Sequence, residues 1–438
     1  MLRRARLAGR LLATLPRVKG AEIIDDLLAR GLIQDHTDLG VLRERLDQGP
    51  MALYVGFDPT ADSLHVGSLV PLLLLRRFQL AGHLPIALAG GATGMIGDPG
   101  GRSEERNLLD GETLDRNTKA IKAQLSAFLD FEPGPYQARL VDNRDWTEPI
   151  GVIDFLRDVG KHLTVNYMLA KESVRSRVQS EHGISFTEFS YMLLQANDYH
   201  WLHENMDCRL QAGGSDQWGN ITAGIDLVRR RSGASVSGLT VPLVTSSDGE
   251  KFGKTVDGAL FLDPARTPPY ALYQYFVNLP DADVERYLLQ LTLVPVEEVR
   301  AVAAAHAEAP EKRVGQQRLA WEMVALIHGK AAADEAAGAS AGFTSSADSL
   351  TPEQLTALAG EIPTTHTEIA GRDAIDLLVE TGLASSKGEA RRLIAGGGIY
   401  VNDVALTESR ALGADDLLHG RYTMLRKGKR RRHLLVGG

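Results

Sequence analysis

The sequence contains a single cysteine, Cys208, among 438 residues. One cysteine excludes an internal disulfide framework and any multi-cysteine zinc site, and it fits a reducing compartment. Long apolar runs are missing as well. No stretch approaches the ~18 uncharged residues that span a bilayer, so we expect no membrane partner. The hydrophobic fraction of 44% still supports ordinary buried cores, and about two to four domains are expected at this length.

Basic charge is scarce in the chain as a whole and unevenly placed. The net charge of −8 argues against a wholly basic nucleic-acid binder. Residues 372–438 nevertheless hold 12 Lys/Arg against 8 Asp/Glu. Residues 1–20 contain six Arg/Lys but no acid and no serine. We predict a disordered start or a wrongly chosen start codon there, rather than a transit peptide, because transit peptides are usually rich in serine.

Residues 51–68 combine a short apolar run, a turn and the start of a helix. Met51 to Phe57 has the length of a strand, Asp58-Pro59-Thr60 predicts a turn, and the apolar stretch from Val66 is long enough for a helix. His65 and Gly67 then fall at the helix start, where unpaired backbone N–H groups suit an anionic ligand. A single histidine in such a place is more often a cap or a surface residue.

A second segment, Lys251 to Thr255, lies between Asp248-Gly249 and Asp257-Gly258. Two lysines three residues apart in a glycine-punctuated loop can neutralise phosphate oxygens, although a solvated basic turn has the same composition. Strand and helix patterns alternate over residues 51–262, which predicts a parallel sheet. The glycine-rich turn from Gly90 to Pro99 follows a buried strand, where an open sheet of this type binds its ligand.

A helix is predicted to begin at Ser185, because Ser185-Phe186-Thr187-Glu188 has the pattern of a capping box. Tyr191, Gln195 and Asp198 follow at spacings that place them on one face. Such a face can be an ordinary solvated one, but the opposite positions are apolar, so the polar stripe can line a pocket. Residues 112–175 are predicted to be mostly helical, and from Pro268 to about Lys330 only helices are predicted.

Two short segments carry a family resemblance. His65-Val66-Gly67-Ser68 resembles the H-I-G-H signature of class I aminoacyl-tRNA synthetases, and Lys251 to Thr255 resembles their K-M-S-K-S signature. The flanking segments, Tyr54 to Thr60 and Gly213 to Asn220, resemble bacterial tyrosyl-tRNA synthetases, and the similarity runs from about Glu22 to the C-terminus. Ser68 stands where the signature has its second histidine, so this position can donate a hydrogen bond but carries no charge.

The resemblance implies a tyrosine–tRNA ligase that works in two steps. L-tyrosine and ATP form tyrosyl-adenylate and pyrophosphate, and the tyrosyl group then passes to the 3′ end of tRNA(Tyr). Mg²⁺ is expected to arrive with the nucleotide, without a structural metal held by the protein. The resemblance also implies a cytoplasmic homodimer. The first step needs no general base, because the attacking carboxylate is already ionised at neutral pH.

The resemblance also implies residue roles. Tyr54 and Asp198 match positions that hydrogen-bond the phenolic hydroxyl of tyrosine; rejecting phenylalanine needs such buried polar groups, which go unpaired when it binds. The expected catalytic residues are His65, Lys251, Lys254 and Thr60. The tyrosine-binding set is completed by Asp98, Tyr191, Gln195 and Gln217. The expected ATP-binding residues are Gly56, Asp58, His65, Gly67, Ser68, Gly214, Asp216 and Lys254.

The implied fold is a Rossmann-like α/β catalytic domain, then an all-α domain, then a small α+β RNA-binding domain. The predicted boundaries are 1–20 for the N-terminal extension, 21–267, 268–335, a linker at 336–371, and 372–438. In the last domain, Ser386 to Gly396 predicts a basic helix and Ile399 to Asp403 a strand entering a turn. The expected RNA-binding residues are Lys387, Arg391, Arg392, Lys427 and Lys429, although a solvated basic tail would look similar.

Three other functions compete with this interpretation. Tryptophanyl-tRNA synthetases share the fold but would lack the Tyr54/Asp198 pair for a hydroxyl. A small-molecule nucleotidylyltransferase also uses an H-x-G-H site, but it has no need of a basic C-terminal domain. A non-catalytic RNA-binding protein on the same scaffold is disfavoured by the intact His65, Lys251 and Lys254.

Overall fold

A computed structural model describes residues 20–100, 109–181, 183–247, 252–255, 258–344, 347–428 and 431–437. The N-terminal extension up to residue 19 and two predicted site residues, Lys251 and Lys429, lie outside this range. Backbone contacts divide the chain into two compact units. Residues up to 267 group with 279–319, and residues 268–278 group with those from 320 onward. The predicted domain boundaries therefore stay a prediction, since the proposed helical domain contributes to both units.

The described elements alternate between strands and helices in the first half and are mainly helical afterwards. The strands are β1 (Ala52–Phe57), β2 (Leu84–Ala89), β3 (Arg139–Asp142), β4 (Cys208–Gly214), β5 (Ser237–Val241), β6 (Lys254–Thr255), β7 (Gly258–Ala259), β8 (Thr364–His366), β9 (Ile399–Val401), β10 (Val404–Ala405), β11 (Tyr422–Lys427) and β12 (Arg431–Val436). The helices up to residue 232 are α1 (Glu22–Ala29), α2 (Leu39–Asp47), α3 (Leu69–Leu80), α4 (Gly111–Phe128), α5 (Arg144–Thr147), α6 (Val152–Asp158), α7 (Val165–Leu169), α8 (Glu172–Val178), α9 (Phe186–Met206) and α10 (Trp218–Ser232). The later helices are α11 (Pro269–Val277), α12 (Asp281–Leu291), α13 (Val296–Glu308), α14 (Val314–His328), α15 (Lys330–Thr344), α16 (Pro352–Glu361), α17 (Ala374–Glu380) and α18 (Lys387–Ala395).

The first unit is built on a five-stranded parallel sheet in the order β3-β2-β1-β4-β5. Its central strand β1 is buried at every position except Gly56, as expected for a parallel strand covered on both faces. The chain order reverses between β1 and β4. In an open α/β sheet, the crevice at such a point, beyond the carboxyl ends of the strands, is the usual ligand site.

Residues 112–175 are mostly helical, as the sequence analysis predicts, but they also contain the short strand β3. Residues 139–142 add this fifth strand beside β2, with Ala89 opposite Asp142. The strand is only four residues long and lies between helical patterns, so its period-two signal is too short to recognise. It brings the turn after Asp142 to the same sheet edge as the ends of β1, β2 and β4.

Helix α9 begins where the capping-box pattern predicts. The Ser185 hydroxyl accepts a hydrogen bond from the Glu188 backbone N–H at 3.1 Å. The Glu188 carboxylate pairs with Arg177 of α8 at 2.7 Å, and both side chains are 2% exposed. Because removing one partner of such a pair leaves a buried charge, the pair fixes the packing of α8 on the start of α9.

The second unit contains a five-stranded sheet in the order β10-β9-β11-β12-β8. Helices α17 and α18 cover one face of it, and α16 with residues of α11 and α15 covers the other. The segment 336–371, predicted as a linker, contains α16 with Leu355 and Leu358 fully buried. Thr351 and Gln354 cap α16 reciprocally, so the helix that the sequence from Leu350 to Glu353 predicts inside this linker is present.

Among the described residues, no helix combines the length and the apolarity that crossing a membrane requires.

Candidate active site

The first signature segment, His65 to Ser68, follows β1 and the turn after it. After the turn at Asp58, His65 has extended backbone and Val66–Ser68 form a short 3₁₀ turn that leads into α3. The His65 ring lies over Gly67, where a Cβ atom would be 2.8 Å from the ring carbon Cε1. His65 is exposed, yet partial desolvation lowers its pKa. A neutral imidazole at rest can donate one hydrogen bond to a phosphate without a fixed charge.

The second signature segment lies directly against the first. The Val66 N–H donates to the Leu260 carbonyl at 3.0 Å, and the Leu262 N–H donates to the Leu64 carbonyl at 2.8 Å. Gly253 has a φ of +75°, and a Cβ there would be 2.3 Å from Val66 Cγ2. Only glycine allows both this backbone conformation and this approach. The backbone of the two predicted signatures is thus brought together.

Helix α12 holds the chain on either side of the lysine segment. The Thr245 carbonyl accepts from the Arg286 guanidinium at 2.7 Å and from the Tyr287 hydroxyl at 2.9 Å. The Ser247 N–H and hydroxyl both donate to Asp283 Oδ2 at 3.0 Å. Beyond residues 248–251, the Phe252 ring packs on the Tyr287 ring with centroids 4.9 Å apart. One turn of α12 therefore contacts both ends of the segment.

On the other side of the cleft, Asp198 of α9 is a buried carboxylate with two donors. The Trp146 indole Nε1–H donates to Oδ1 at 2.8 Å, and the Asn143 amide donates to Oδ2 at 3.0 Å. Burial is the main cause that raises the pKa of Asp198 to about 7. A carboxylate has about four acceptor positions, so two remain for a ligand hydroxyl.

Asn143 joins Asp198 to a second carboxylate, Asp58. Its amide also donates to the Thr93 hydroxyl at 3.0 Å, and its carbonyl oxygen accepts from the Ala92 N–H at 2.7 Å. Thr93 in turn donates to Asp58 Oδ1 at 2.7 Å, and Asp58 Oδ2 accepts from the Tyr191 hydroxyl at 2.8 Å. Every polar atom of the fully buried Asn143 side chain is used, which makes it the centre of the network.

Two buried polar atoms at this cleft have no hydrogen-bond partner within the described residues. They are the hydroxyl of Tyr54 on β1 and Oε1 of Gln195 on α9. Burial, followed by the charge of Asp198, raises the pKa of Tyr54, so the phenol stays neutral and keeps its proton. Buried polar groups are rarely left unpaired in folded proteins. These two atoms therefore mark positions where a polar ligand can bind.

Asp98 is the third carboxylate of the cleft and is buried. It accepts from the Gln217 side chain at 2.6 Å and from the Gly100 N–H at 2.8 Å. Asn220 approaches the same carboxylate at 3.5 Å. Burial is the main cause that raises the pKa of Asp98 to about 6. Near neutral pH this group is mostly ionised and suits a cationic ligand group.

Comparisons with known proteins agree with this geometry. The family model "tRNA synthetases class I (W and Y)" matches residues 46–344. The tyrosine–tRNA ligase of Opitutus terrae is 55% identical over 415 residues, covering 93% of this chain and 98% of that protein. The chain belongs to the tyrosine–tRNA ligase family. Its place among the aminoacyl-tRNA synthetases confirms the family, fold class and enzyme class predicted from the sequence.

Other comparisons extend over the rest of the synthetase. The model "Tyrosine–tRNA ligase SYY-like C-terminal domain" matches residues 354–435. The tyrosine–tRNA ligase of Roseiflexus castenholzii is 52% identical over 420 residues, covering 94% of this chain and 99% of that protein. A truncated mitochondrial tyrosyl-tRNA synthetase of Aspergillus nidulans superposes with a TM-score of 0.66 at 31% identity. The superposition covers 77% of this chain and 97% of the Aspergillus nidulans chain.

Most of the predicted site residues of this synthetase lie at one edge of the sheet. Gly56, Thr60, Gly214 and Asp216 stand at or just after the carboxyl ends of β1 and β4, on the same edge as the residues described above. Ser68 lies at the start of α3, where its N–H donates to the His65 carbonyl at 2.9 Å. Lys254 lies in β6, and its side chain is outside the described atoms.

Asp58 has hydrogen-bond partners that the resemblance does not assign to it. The resemblance assigns it to ATP, but both of its oxygens bond residues of the amino-acid side, Thr93 and Tyr191. The role on the nucleotide stays a prediction. The structure adds that Asp58 anchors the pocket that contains Tyr191.

Sequence reasoning missed four residues of the cleft: Thr93, Asn143, Trp146 and Asn220. Thr93 and Asn220 lie inside motifs that the sequence analysis quotes. Asn143 and Trp146 follow β3, a strand that the sequence analysis does not single out within the mostly helical stretch 112–175. The Leu140-Val141 pair followed by Asp142-Asn143 was an available signal, because polar residues just after a short apolar run are typical of a strand end at a ligand site.

The predicted RNA-binding residues lie in the second unit, and two of them already have partners. Lys387 pairs with Asp376 at 2.6 Å, and Lys427 pairs with Glu389 at 2.8 Å. Arg391 and Arg392 are exposed on α18. Within the described part of this unit, no ion pair is recorded for these two arginines. Among the described residues of both units, no group of three His, Cys, Asp or Glu side chains is placed to hold a metal ion.

Proposed function

We propose that this synthetase binds L-tyrosine and ATP at the carboxyl ends of β1, β2 and β4, and that the tyrosine pocket lies between β1 and α9. The observation that carries this assignment is a pair of buried atoms, Tyr54 Oη and Gln195 Oε1, that have no hydrogen-bond partner among the described residues. The buried carboxylates of Asp198, whose charge acts on Tyr54, and of Asp98 belong to the same cleft. Such a pocket provides acceptors for a phenolic hydroxyl and for an ammonium group.

The phenol end of the pocket is formed by Tyr54 and Asp198. The substrate hydroxyl donates to the Asp198 carboxylate and accepts from the Tyr54 hydroxyl. The Tyr54 phenol keeps its proton because its raised pKa prevents ionisation. Phenylalanine would leave both groups buried and unpaired, which selects for the hydroxyl. An indole ring has a donor but no acceptor, so it would satisfy Asp198 and not Tyr54.

The ammonium end is formed by Asp98, Gln195 and Tyr191. Asp98 supplies the countercharge and Gln195 Oε1 accepts one hydrogen bond. The Tyr191 phenol oxygen accepts another, while its own O–H donates to Asp58 Oδ2. Gln217, which already bonds Asp98, lies where the carboxylate of the substrate would face the nucleotide.

In the first step, a carboxylate oxygen of tyrosine attacks the α-phosphorus of ATP, which arrives with Mg²⁺. An O–P bond forms to the tyrosine, the bond to the bridging oxygen breaks, and pyrophosphate leaves with the electron pair. His65 and the lysines of the second signature stabilise the charge that develops on the phosphates. The protein supplies position and electrostatics, and no proton has to be removed.

In the second step, a ribose hydroxyl at the 3′ end of tRNA(Tyr) attacks the acyl carbon of the adenylate and an ester bond forms. The bond between the acyl carbon and the phosphate oxygen breaks, and AMP leaves, its phosphate taking up the proton of the hydroxyl. The exposed Arg391 and Arg392 of α18, together with Lys387, Lys427 and Lys429, are proposed to bind the phosphate backbone of the tRNA. Their contribution should weaken as salt increases, because phosphate contacts release counterions.

A homodimer is supported by an apolar surface on the first unit. Several large apolar side chains between α6 and the start of α9 are strongly exposed: Val152, Ile153 and Phe186 at 74% each, Val165 at 59% and Leu156 at 48%. Exposed apolar area of this extent is typical of a protein interface. We propose that two copies pair here; Ile153→Asp should yield monomers in sedimentation analysis.

The single buried cysteine also supports a cytoplasmic location.

The decisive experiment measures ATP–pyrophosphate exchange with tyrosine, phenylalanine and tryptophan separately. We expect exchange with tyrosine, and we expect Asp198→Ala to abolish it while ATP binding persists. Asp226→Ala, which removes a half-buried carboxylate on α10 that pairs with Arg229, is the matched control and should leave exchange unchanged. Unchanged tyrosine kinetics in the Asp198 variant would refute the pocket assignment.

A further inference from the structure

Trp146, which donates to Asp198, is held from a second side by another indole. The ring of Trp201 stacks on the ring of Trp146 with centroids 4.2 Å apart and planes inclined by 10°. Trp146 is 6% exposed, and Trp201 is half-buried at the outer edge of the same apolar cluster. The Trp146 ring is therefore fixed both by its N–H and by its face.

The stacking partner and the carboxylate come from one helix face. Asp198 and Trp201 are three residues apart on α9, so they are neighbours on its surface. Asn143 and Trp146 are also three residues apart, on the turn that opens α5. Two side chains of α9, Asp198 and Trp201, thus contact two side chains of a short turn. Asp198 accepts hydrogen bonds from both Asn143 and Trp146, and Trp201 stacks on Trp146.

The turn itself has little rigidity of its own. Helix α5 contains four residues, and a helix this short is not stable without packing. The direction of the Trp146 N–H, and with it one of the two hydrogen bonds to Asp198, depends on what holds the indole. Trp201 is the aromatic ring stacked on it among the described residues.

We propose that Trp201 is a positioning residue for tyrosine recognition, acting through Trp146 on the Asp198 carboxylate. This inference rests on the proposed role of Asp198 toward the substrate hydroxyl. Trp201 touches no substrate. It keeps the acceptor aligned, so its loss should affect recognition of the hydroxyl and leave the nucleotide side unchanged.

The test compares Trp201→Leu and Trp201→Met, which keep apolar bulk but lose the flat ring, with Trp201→Phe, which keeps a ring. In pyrophosphate exchange, the leucine and methionine variants should raise KM for tyrosine about three- to tenfold, the range of a lost aromatic pair. The preference for tyrosine over phenylalanine should fall by the same factor. KM for ATP should stay within about twofold. The Trp201→Phe variant, which keeps a ring, should retain most of the affinity for tyrosine.

Trp321→Leu is the matched control, because its indole bonds Asp334 in the second unit and it should change neither constant. A merely structural role would raise KM for tyrosine and ATP together and leave the tyrosine-to-phenylalanine preference intact, which would overturn the inference. If the leucine variant does not fold, the methionine and phenylalanine variants decide by the same criterion. Failure of the unmodified enzyme to exchange with tyrosine would instead overturn the proposed function.

Discussion

The two sides of the cleft are built in different ways. The amino-acid side is a network of mostly buried side chains, in which hydrogen bonds of 2.7–3.0 Å connect Tyr191, Asp58, Thr93, Asn143 and Asp198 in that order. The nucleotide side is a contact between two backbone segments of the chain. Gly253 lies against Val66 there, and two β-type backbone hydrogen bonds join the segments.

This difference separates recognition from chemistry. A network of buried polar groups gives a fixed shape and a strong penalty for a missing hydroxyl, as selection of one amino acid requires. Backbone contacts at a glycine instead allow a charged ligand to approach closely and depend little on individual side chains. Substitutions on each side should therefore change different kinetic constants.

The largest effect is expected for Gly253→Ala on the nucleotide side. The new Cβ would meet Val66 and would also force a left-handed backbone conformation on alanine. Backbone strain and overpacking together amount to about 3 kcal/mol, so we expect kcat/KM for ATP in pyrophosphate exchange to fall about 100-fold. KM for tyrosine should stay within about twofold.

Gly233→Ala provides the control for backbone strain alone. Gly233 ends α10 with a φ of +69° and has no atom near its missing Cβ. This variant should lose some stability in thermal unfolding but keep its kinetics. Equal losses of ATP and tyrosine efficiency in Gly253→Ala would show that the two sides are not separate.

The next largest effect is expected for Asn143→Ala on the amino-acid side. The substitution leaves Asp198 Oδ2, the Thr93 hydroxyl and the Ala92 N–H without this partner. An unsatisfied buried group amounts to about 1–3 kcal/mol, so kcat/KM for tyrosine should fall about 30-fold while KM for ATP changes little. Asn205→Ala, at an exposed amide on α9, is the control.

The same comparison explains what the sequence could predict. Local patterns located β1 and its turn, the helix from Ser185, and the face with Tyr191, Gln195 and Asp198, because each depends on periodicity or capping within a few residues. The signatures located the two segments that meet on the nucleotide side by resemblance.

The partners of these residues could not be predicted in this way. Trp146 lies 52 residues from Asp198 along the chain, and Tyr191 lies 133 residues from Asp58. Such contacts depend on the order of the strands in the sheet. The sequence analysis predicts a parallel sheet but neither its strand order nor strand β3. The contact of Ser247 with Asp283 was missed for the same reason, since α12 shows only an amphipathic pattern in the sequence.

A smaller effect is expected from pH, again on the amino-acid side. Burial raises the pKa of Asp98 to about 6 and that of Asp198 to about 7. The ionised carboxylates bind the substrate, so protonation below these values should weaken binding. We expect kcat/KM for tyrosine to fall about tenfold between about pH 7.5 and about pH 6.2, because both carboxylates have to be ionised. A flat profile over this range would contradict the assignment of both groups.

The smallest effect is expected for Ser247→Ala, which removes one hydrogen bond between the lysine segment and α12. The backbone N–H of residue 247 still donates to Asp283, and the contacts of Thr245 remain. One hydrogen bond contributes about 1 kcal/mol, so KM for ATP should rise about fivefold with KM for tyrosine unchanged. Ser126→Ala, which removes an exposed helix hydroxyl, is the control. A rise in KM for tyrosine instead would mean that α12 supports the whole cleft rather than the nucleotide side alone.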